Sequence, residues 1–388
     1  MSIGRNLIEE SRGKPMKAIY VFLSSLVLFG LISVTPAEAA EKSIDRYFLE
    51  DVDYDHWAYN ELERFLYSDI IDGYVETESY EEDGEEYEYT SVSIKPKNSI
   101  TRAEFTKILV NSMNLRAGET VKSFPDVKPA NWYYEFVKVA SSQGIINGKP
   151  DGTFRPNDKI TRNEMAVMIY RAFESKLDFS ATGKVFPDVP KGNFAYEAVV
   201  KTAAVGIIKG YGNVFKPYND ATRAEAIVMI DRALHLEPET DGDQLAIIQT
   251  VDRNIKDEMK FTEQQDLKAL EALYRETTIG YQLAYSLNSM GMAGMFEELD
   301  TIYKMEQIGE YAINAVSVNN HFAQVRIDNL VYKVSFTAPD MSFNMNIDLS
   351  GTAHLKKSDD GKWKIYNVVL DEDDYEQDLK ETLETEIN

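Results

Sequence analysis

The amino-acid sequence predicts a multidomain chain: an all-α region made of three copies of one unit, followed by an α+β domain. Two observations carry this. The pattern T-R-x-E begins at Thr101, Thr161 and Thr222, each time five residues after a proline (Pro96, Pro156, Pro217). After Gly309 the hydrophobic period changes from that of a helix to that of a strand. The composition agrees. Of 388 residues, 44% are hydrophobic and 11% aromatic, which excludes disorder as the state of the whole chain. A formal charge of −24 argues against nucleic acid or an anionic membrane as the main partner, since both need a basic field. With no cysteine, disulfides, thiol nucleophiles and cysteine-ligated metals are excluded, and four His leave few imidazoles. No metal or cofactor is expected.

Residues 1–39 read as a secretory signal peptide. Met16-Lys17 precedes an apolar run from Ala18 to Val34, and Ala37-Glu38-Ala39 is a small-x-small cleavage pattern. Glu9 and Glu10 are unlike a basic leader, so the start is either Met1 or Met16. An uncleaved anchor is the alternative, since about 17 apolar residues is near the lower limit for a span. After cleavage no membrane insertion is expected.

The three units occupy 40–114, 121–176 and 183–236. Each opens on an aspartate, Asp51, Asp126 or Asp188, six residues before an aromatic: Trp57, Trp132 or Phe194. Thirteen residues on stand Ile70-Ile71, Ile145-Ile146 and Ile207-Ile208, followed by Gly73, Gly148 and Gly210. Each unit reads as helix, turn-rich loop, helix. The first helix ends at Gly144 or Gly206, a favoured C-cap, with Asp69 in the first copy. The second carries apolar residues at spacings of three and four, as in Phe105, Ile108 and Leu109, so the copies should bury these faces on one another.

Thr followed by Glu three residues later is a capping box. That leaves the arginine unexplained, because a cation in the first helical turn faces the positive end of the helix dipole. Arg102, Arg162 and Arg223 make sense beside free helix N–H groups if they meet a carboxylate or phosphate. A structural pair with an acid such as Asp126 is the competing account.

These residues resemble the S-layer homology family, with its F-x-D-V opening, downstream Trp, glycine-rich loop and I-T-R-A-E helix start. The second copy shows them as Phe124-Pro125-Asp126-Val127, Trp132, Gly148 to Pro156, and Ile160-Thr161-Arg162-Asn163-Glu164. The resemblance implies a pseudo-threefold helical bundle that anchors its protein noncovalently to a pyruvylated secondary cell-wall polysaccharide. It gives Arg102, Arg162 and Arg223 the role of reading the ketal carboxylate. Asp51, Asp126 and Asp188 would accept sugar hydroxyls, with Trp57 and Trp132 lining the groove; the residues themselves favour helix-core packing for these aromatics. Secretion, a wall or S-layer location and a cell-surface role follow from the same resemblance.

The copies differ. The first has about fifteen extra residues, within 75–93, rich in Glu and without a basic residue. They read as a solvated loop that weakens any neighbouring anion site. The third has Phe194 for Trp and a loop shorter by one residue. Arg162, in the least altered copy, is the leading single candidate.

Residues 237–244 read as a linker and 245–370 as the α+β domain: helices to about Tyr303 with a break near Gly291 to Gly294, then strands from Tyr311 to Val369, with Asp360-Gly361 as a hairpin turn. Their order is similar to the nuclear-transport-factor-2-like fold, which implies a curved antiparallel sheet wrapping a helix. For Met290, Met292 and Met295 core packing is favoured over an adaptable surface. Residues 371–388 read as an acidic tail. His321, Asp328 and His354 could form an acid–base site only if the fold brings them together. No catalytic residues are therefore assigned, and the domain is expected to serve display, binding or dimerisation. A wall-anchored enzyme acting on envelope polymers is the alternative. A cavity holding a His or carboxylate pair would favour the enzyme.

Overall fold

The computed structural model describes residues 42–82, 85–240, 242–293, 302–338 and 341–371. The expected signal peptide, the break at Gly294, Met295 and nearly all of the acidic tail lie outside them. Among the described residues no helix is long and apolar enough to cross a membrane.

Each repeat is a helix pair: α1 (Tyr59–Tyr67) with α2 (Arg102–Ser112), α3 (Tyr134–Ser142) with α4 (Arg162–Phe173), and α5 (Tyr196–Ala204) with α6 (Arg223–His235). The first helix of each pair ends where the chain turns left-handed, at Asp69 (φ 56°), Gly144 (φ 71°) and Gly206 (φ 83°). The second starts on a complete capping box at Thr101, Thr161 and Thr222.

The helices fill one core, because the apolar face of each second helix finds its cover in the neighbouring copies. Backbone hydrogen bonds close the set into a cycle: Ile100 N–H donates to Ala221, Ala221 to Ile160, and Ile160 back to Ile100. All three residues are fully buried.

The acidic insertion is a β-hairpin, not the loop expected. β1 (Tyr74–Glu82) pairs antiparallel with β2 (Glu85–Ser93), with Thr77 opposite Thr90 and Val75 opposite Val92. Alternating Val, Tyr and Thr among the glutamates give the segment strand propensity, which its charge obscured.

The second half begins with α7 (Gln244–Glu263), α8 (Leu267–Thr277) and α9 (Gly280–Ala293). The helices break at Gln264–Asp266 and at Thr278, while α9 runs through Gly291, where a break was expected. Then follow β3 (Ile302–Ile308), β4 (Ala312–Val318), β5 (Phe322–Asp328), β6 (Val331–Ala338), β7 (Met341–Asp348), β8 (Gly351–Lys357) and β9 (Trp363–Leu370). β3 occupies a stretch whose beginning read as helix. The strands form two antiparallel sheets, ordered β3-β6-β7 and β4-β5-β8-β9. α7 packs Ile247 and Val251 on the larger sheet against Val325, Ile327, Ala353 and Leu355. Met290 packs beside Leu270, Leu273 and Tyr274.

The halves are packed together. Tyr281 of α9 stacks on Tyr67 of α1, ring centroids 4.2 Å apart. Lys356 of β8 donates to the Ser68 carbonyl at 3.3 Å, and Asn114 donates to the Lys357 carbonyl. Within 237–244, read as a linker, the Glu237 carboxylate is buried against His321 and Lys176, and the Thr240 N–H donates to Val318.

Candidate functional site

The repeats place three grooves at equivalent positions, each built from all three copies. The groove of the third copy, about 520 Å³, contains its own Lys209, Tyr211, Glu225 and Arg232, with Trp57 from the first copy and Arg162 from the second. That of the first copy, about 240 Å³, has Asp72, Tyr74, Glu104 and Lys107, with Trp132 from the second copy and Arg223 from the third. The second copy's, about 140 Å³, has Asn147, Glu164 and Arg171, with Phe194 from the third and Arg102 from the first. The cyclic order is complete: each groove takes its aromatic from the following copy and its motif arginine from the preceding one.

At the floor of each groove the arginine is held on several sides. Arg102, Arg162 and Arg223 are 4%, 2% and 6% exposed. Their Nε atoms donate to the carbonyls of Phe154, Phe215 and Ile94. Their Nη1 atoms pair with the capping-box glutamate of the next copy: Arg102 with Glu164 at 2.9 Å, Arg162 with Glu225, and Arg223 with Glu104 at 4.0 Å. Aromatic faces complete the cradle, with Arg102 over Phe154, Arg162 over Phe215 and Tyr211, and Arg223 over Tyr74.

Each of those glutamates therefore serves two purposes. It closes its own capping box and neutralises a neighbour's arginine. A third donor comes from the residue after the loop glycine: Tyr74 on Glu104 at 2.9 Å, Lys149 on Glu164, Tyr211 on Glu225. Burial pushes the Glu104 and Glu164 carboxyls up, but these donors and the threonine N–H outweigh it and hold both below the ordinary glutamate value.

The helix N-termini that the arginines were expected to share with an anion are occupied. The N–H groups of Arg102 and Ala103 donate to the carbonyls of Asp158 and Pro156, and the other copies repeat this with Asn219 and Pro217, and with Asn98 and Pro96. The structural account thus explains most of the arginine's contacts, with the glutamate rather than Asp126 as partner.

Asp126 is engaged elsewhere. Its two carboxylate oxygens accept the N–H groups of Phe154 and Arg155; Asp51 does the same with Ile94 and Lys95, and Asp188 with Phe215 and Lys216. Lys95, Arg155 and Lys216 are left-handed, at φ 55°, 57° and 58°. Each aspartate thus holds a strained loop in place. Burial raises the Asp188 carboxyl, and the two loop N–H groups more than reverse this.

The aromatics overturn the preference for core packing. Trp57 is 59% exposed, Trp132 56% and Phe194 68%. The helix after each begins two residues later, at Tyr59, Tyr134 and Tyr196, so the ring lies ahead of the apolar face rather than on it.

Several groove residues fall outside the motif. Arg171 and Arg232 donate to the carbonyls of Ile145 and Ile207, at the position Asn111 holds in the first copy. Between the isoleucine pair and the glycine stand Asp72, Asn147 and Lys209, which grade the three grooves from acidic to basic. Aligning the copies would have revealed this series. In the third copy's groove Arg162, Arg232, Lys97 and Lys209 face Glu225, whereas in the first copy's Arg223 and Lys107 are matched by Glu104 and Asp72.

In the C-terminal domain the three acid–base candidates stay apart. His321 is buried against Glu237 at 3.3 Å, Asp328 pairs with Arg326 at 2.7 Å, and His354 lies beside Tyr366. Burial, and then Arg64, lower the His354 pKa.

The sequence model of the S-layer homology domain matches residues 123–166 and 185–227. An amylopullulanase of Thermoanaerobacterium thermosulfurigenes is 34% identical over 182 residues, 45% of this chain and 9% of that one. The cellulosome-anchoring protein of Acetivibrio thermocellus is 33% identical over 157 residues, 39% of this chain and 35% of its own. The S-layer protein sap of Bacillus anthracis is 27% identical over 218 residues, 55% and 24%. The chain thus spans 9% to 35% of the length of these relatives. The chain thus carries S-layer homology domain sequence in two of the three repeats that its backbone closes into a cycle.

Proposed function

We propose that this secreted protein is held noncovalently at the bacterial cell surface by binding a pyruvylated wall polysaccharide in the inter-repeat grooves of a pseudo-threefold bundle. One observation carries the reading: each groove sets an exposed aromatic ring, suited to stacking on a sugar face, beside cationic side chains above a buried arginine. The uncommitted edge of the guanidinium and the neighbouring lysines would meet the ketal carboxylate. The third copy's groove is the principal site, being the largest and the most basic. Grooves engaging one polymer together would raise affinity without new contacts.

The relatives include proteins named for anchoring and for S-layers as well as for polysaccharide hydrolysis. The C-terminal cavity contains one carboxylate, Glu258, among its described lining residues. Glycoside cleavage uses two, so we assign this domain to display and binding rather than to catalysis.

The test is co-sedimentation of the whole chain with purified walls, before and after acid removal of the pyruvylated polymer. Trp57→Ala and Lys209→Glu should each weaken binding about tenfold or more, while an intact melting temperature shows that the bundle survives. Equal binding to stripped walls, or no effect of either substitution, would overturn the proposal.

A further inference from the structure

We propose that the cavity between α7, α8, α9 and the larger sheet binds a small organic cation, an amine or ammonium ion, with Glu258 as its counter-charge. The cavity is about 190 Å³ and lies in the C-terminal domain, away from the wall-binding grooves. A dry cavity of about 150 Å³ accepts benzene, so this one suits a compact ligand of roughly five to ten heavy atoms.

The site is assembled by helix period. Val251, Asn254, Ile255 and Glu258 occupy i, i+3, i+4 and i+7 of α7, the stripe that faces the sheet. An acidic residue there breaks the apolar pattern. One oxygen of Glu258 accepts the Tyr274 hydroxyl at 2.8 Å, and among the described residues the other has no partner. Tyr274, Tyr281 and Tyr285 supply aromatic walls, and Asn254, Gln282 and Ser286 add polar groups. Among the described lining residues none is Lys, Arg or His. A carboxylate in such surroundings is costly unless a cation accompanies it, and tyrosine faces attract cations.

Burial pushes the Glu258 carboxyl up to about 7 against the opposing bond from Tyr274. The other titratable groups facing it, Tyr285 of α9 and Tyr332 of β6, have their own pKa raised by burial and by Glu258. The empty cavity therefore keeps its proton close to neutrality. An incoming cation would ionise the acid, whereas a neutral guest of the same shape would not.

The probes are tert-butylammonium, its neutral isostere tert-butanol, and pivalate as an anion carrying the same tert-butyl group, titrated calorimetrically into the full chain at about 150 mM salt to suppress surface attraction. The ammonium should bind at least about tenfold more tightly than the alcohol, and pivalate weakest. Glu258→Gln should abolish that preference and retain alcohol binding, which shows that the cavity is intact. Tyr285→Leu, the second variant if the first does not fold, should weaken the ammonium several-fold and leave the alcohol unchanged. Failure of all three probes, an alcohol equal to the ammonium, or a cation preference that survives Glu258→Gln would each overturn the proposal.

Discussion

A buried arginine and an exposed lysine in one groove answer different experiments. Arg162 is enclosed by the Phe215 carbonyl, Glu225 and two aromatic faces. Arg162→Ala removes a buried pair and leaves Glu225 without its guanidinium, held by Tyr211 and the Thr222 N–H, and breaking such a pair costs about 3–5 kcal/mol. Urea unfolding should show a loss of that size, and a change below about 1 kcal/mol would mean that the pair is not structural. Loss of wall binding in that variant would not by itself report a ligand contact. Lys209 is exposed, and its replacement should alter stability by no more than about 0.5 kcal/mol. The T-R-x-E pattern reveals the capping box, but not that its glutamate serves another repeat's arginine. That pairing spans 62 residues for Arg102–Glu164 and 119 for Arg223–Glu104.

Loops and hairpins tune the grooves. Gly148 sits at φ 75°, and a Cβ there would lie 2.5 Å from the Phe124 ring. Gly148→Ala should therefore lower the melting temperature by more than the several degrees that about 1 kcal/mol brings in small domains, which calorimetry can check. The β1–β2 hairpin rises from Tyr74, which itself lines the first copy's groove. Replacing its glutamates by glutamine should increase wall binding at low ionic strength and have no effect near 1 M salt, where screening is nearly complete. Equal salt profiles for parent and variant would mean that the hairpin's charge does not reach the groove. Sequence patterning located the helices and most strands, because amphipathic period and turn residues are local. The hairpin escaped because charge outweighed a β-propensity that only cross-strand pairing rewards.

At the scale of the whole molecule, one set of carboxyls and the single carboxyl of Glu258 respond oppositely to pH. Glu104, Glu164 and Asp188 lie below their ordinary values, and Asp72, with burial opposing, is held at about 2 by Lys107 and Lys42. Their depressed folded-state pKa values confer stability that is fully present above the unfolded values, about 4, and is lost as pH falls below them. Glu258 runs the other way: the folded state retains a proton that the unfolded chain releases near 4.5, so stability declines as pH rises from there to about 7. Glu258→Gln should raise the melting temperature at pH 8 and leave it nearly unchanged at pH 4; no difference between the two conditions would refute the assignment.

The three-copy plan, the capping boxes, the left-handed helix ends and the order of helices before strands were determined by the sequence alone. Each depends on a residue's nearest neighbours along the chain: a hydroxyl reaching an N–H three residues on, or a glycine relieving a positive φ. Only the tertiary structure decided that Trp57 and Trp132 face outward and that the arginines are gripped from the next repeat. It also decided that the opening aspartates brace loops and that Glu258 is the one charged residue among the described lining of an aromatic cavity. Those outcomes come from cyclic packing, in which residues 50 or more positions apart share one carboxylate or one groove, and a linear pattern carries no term for that closure.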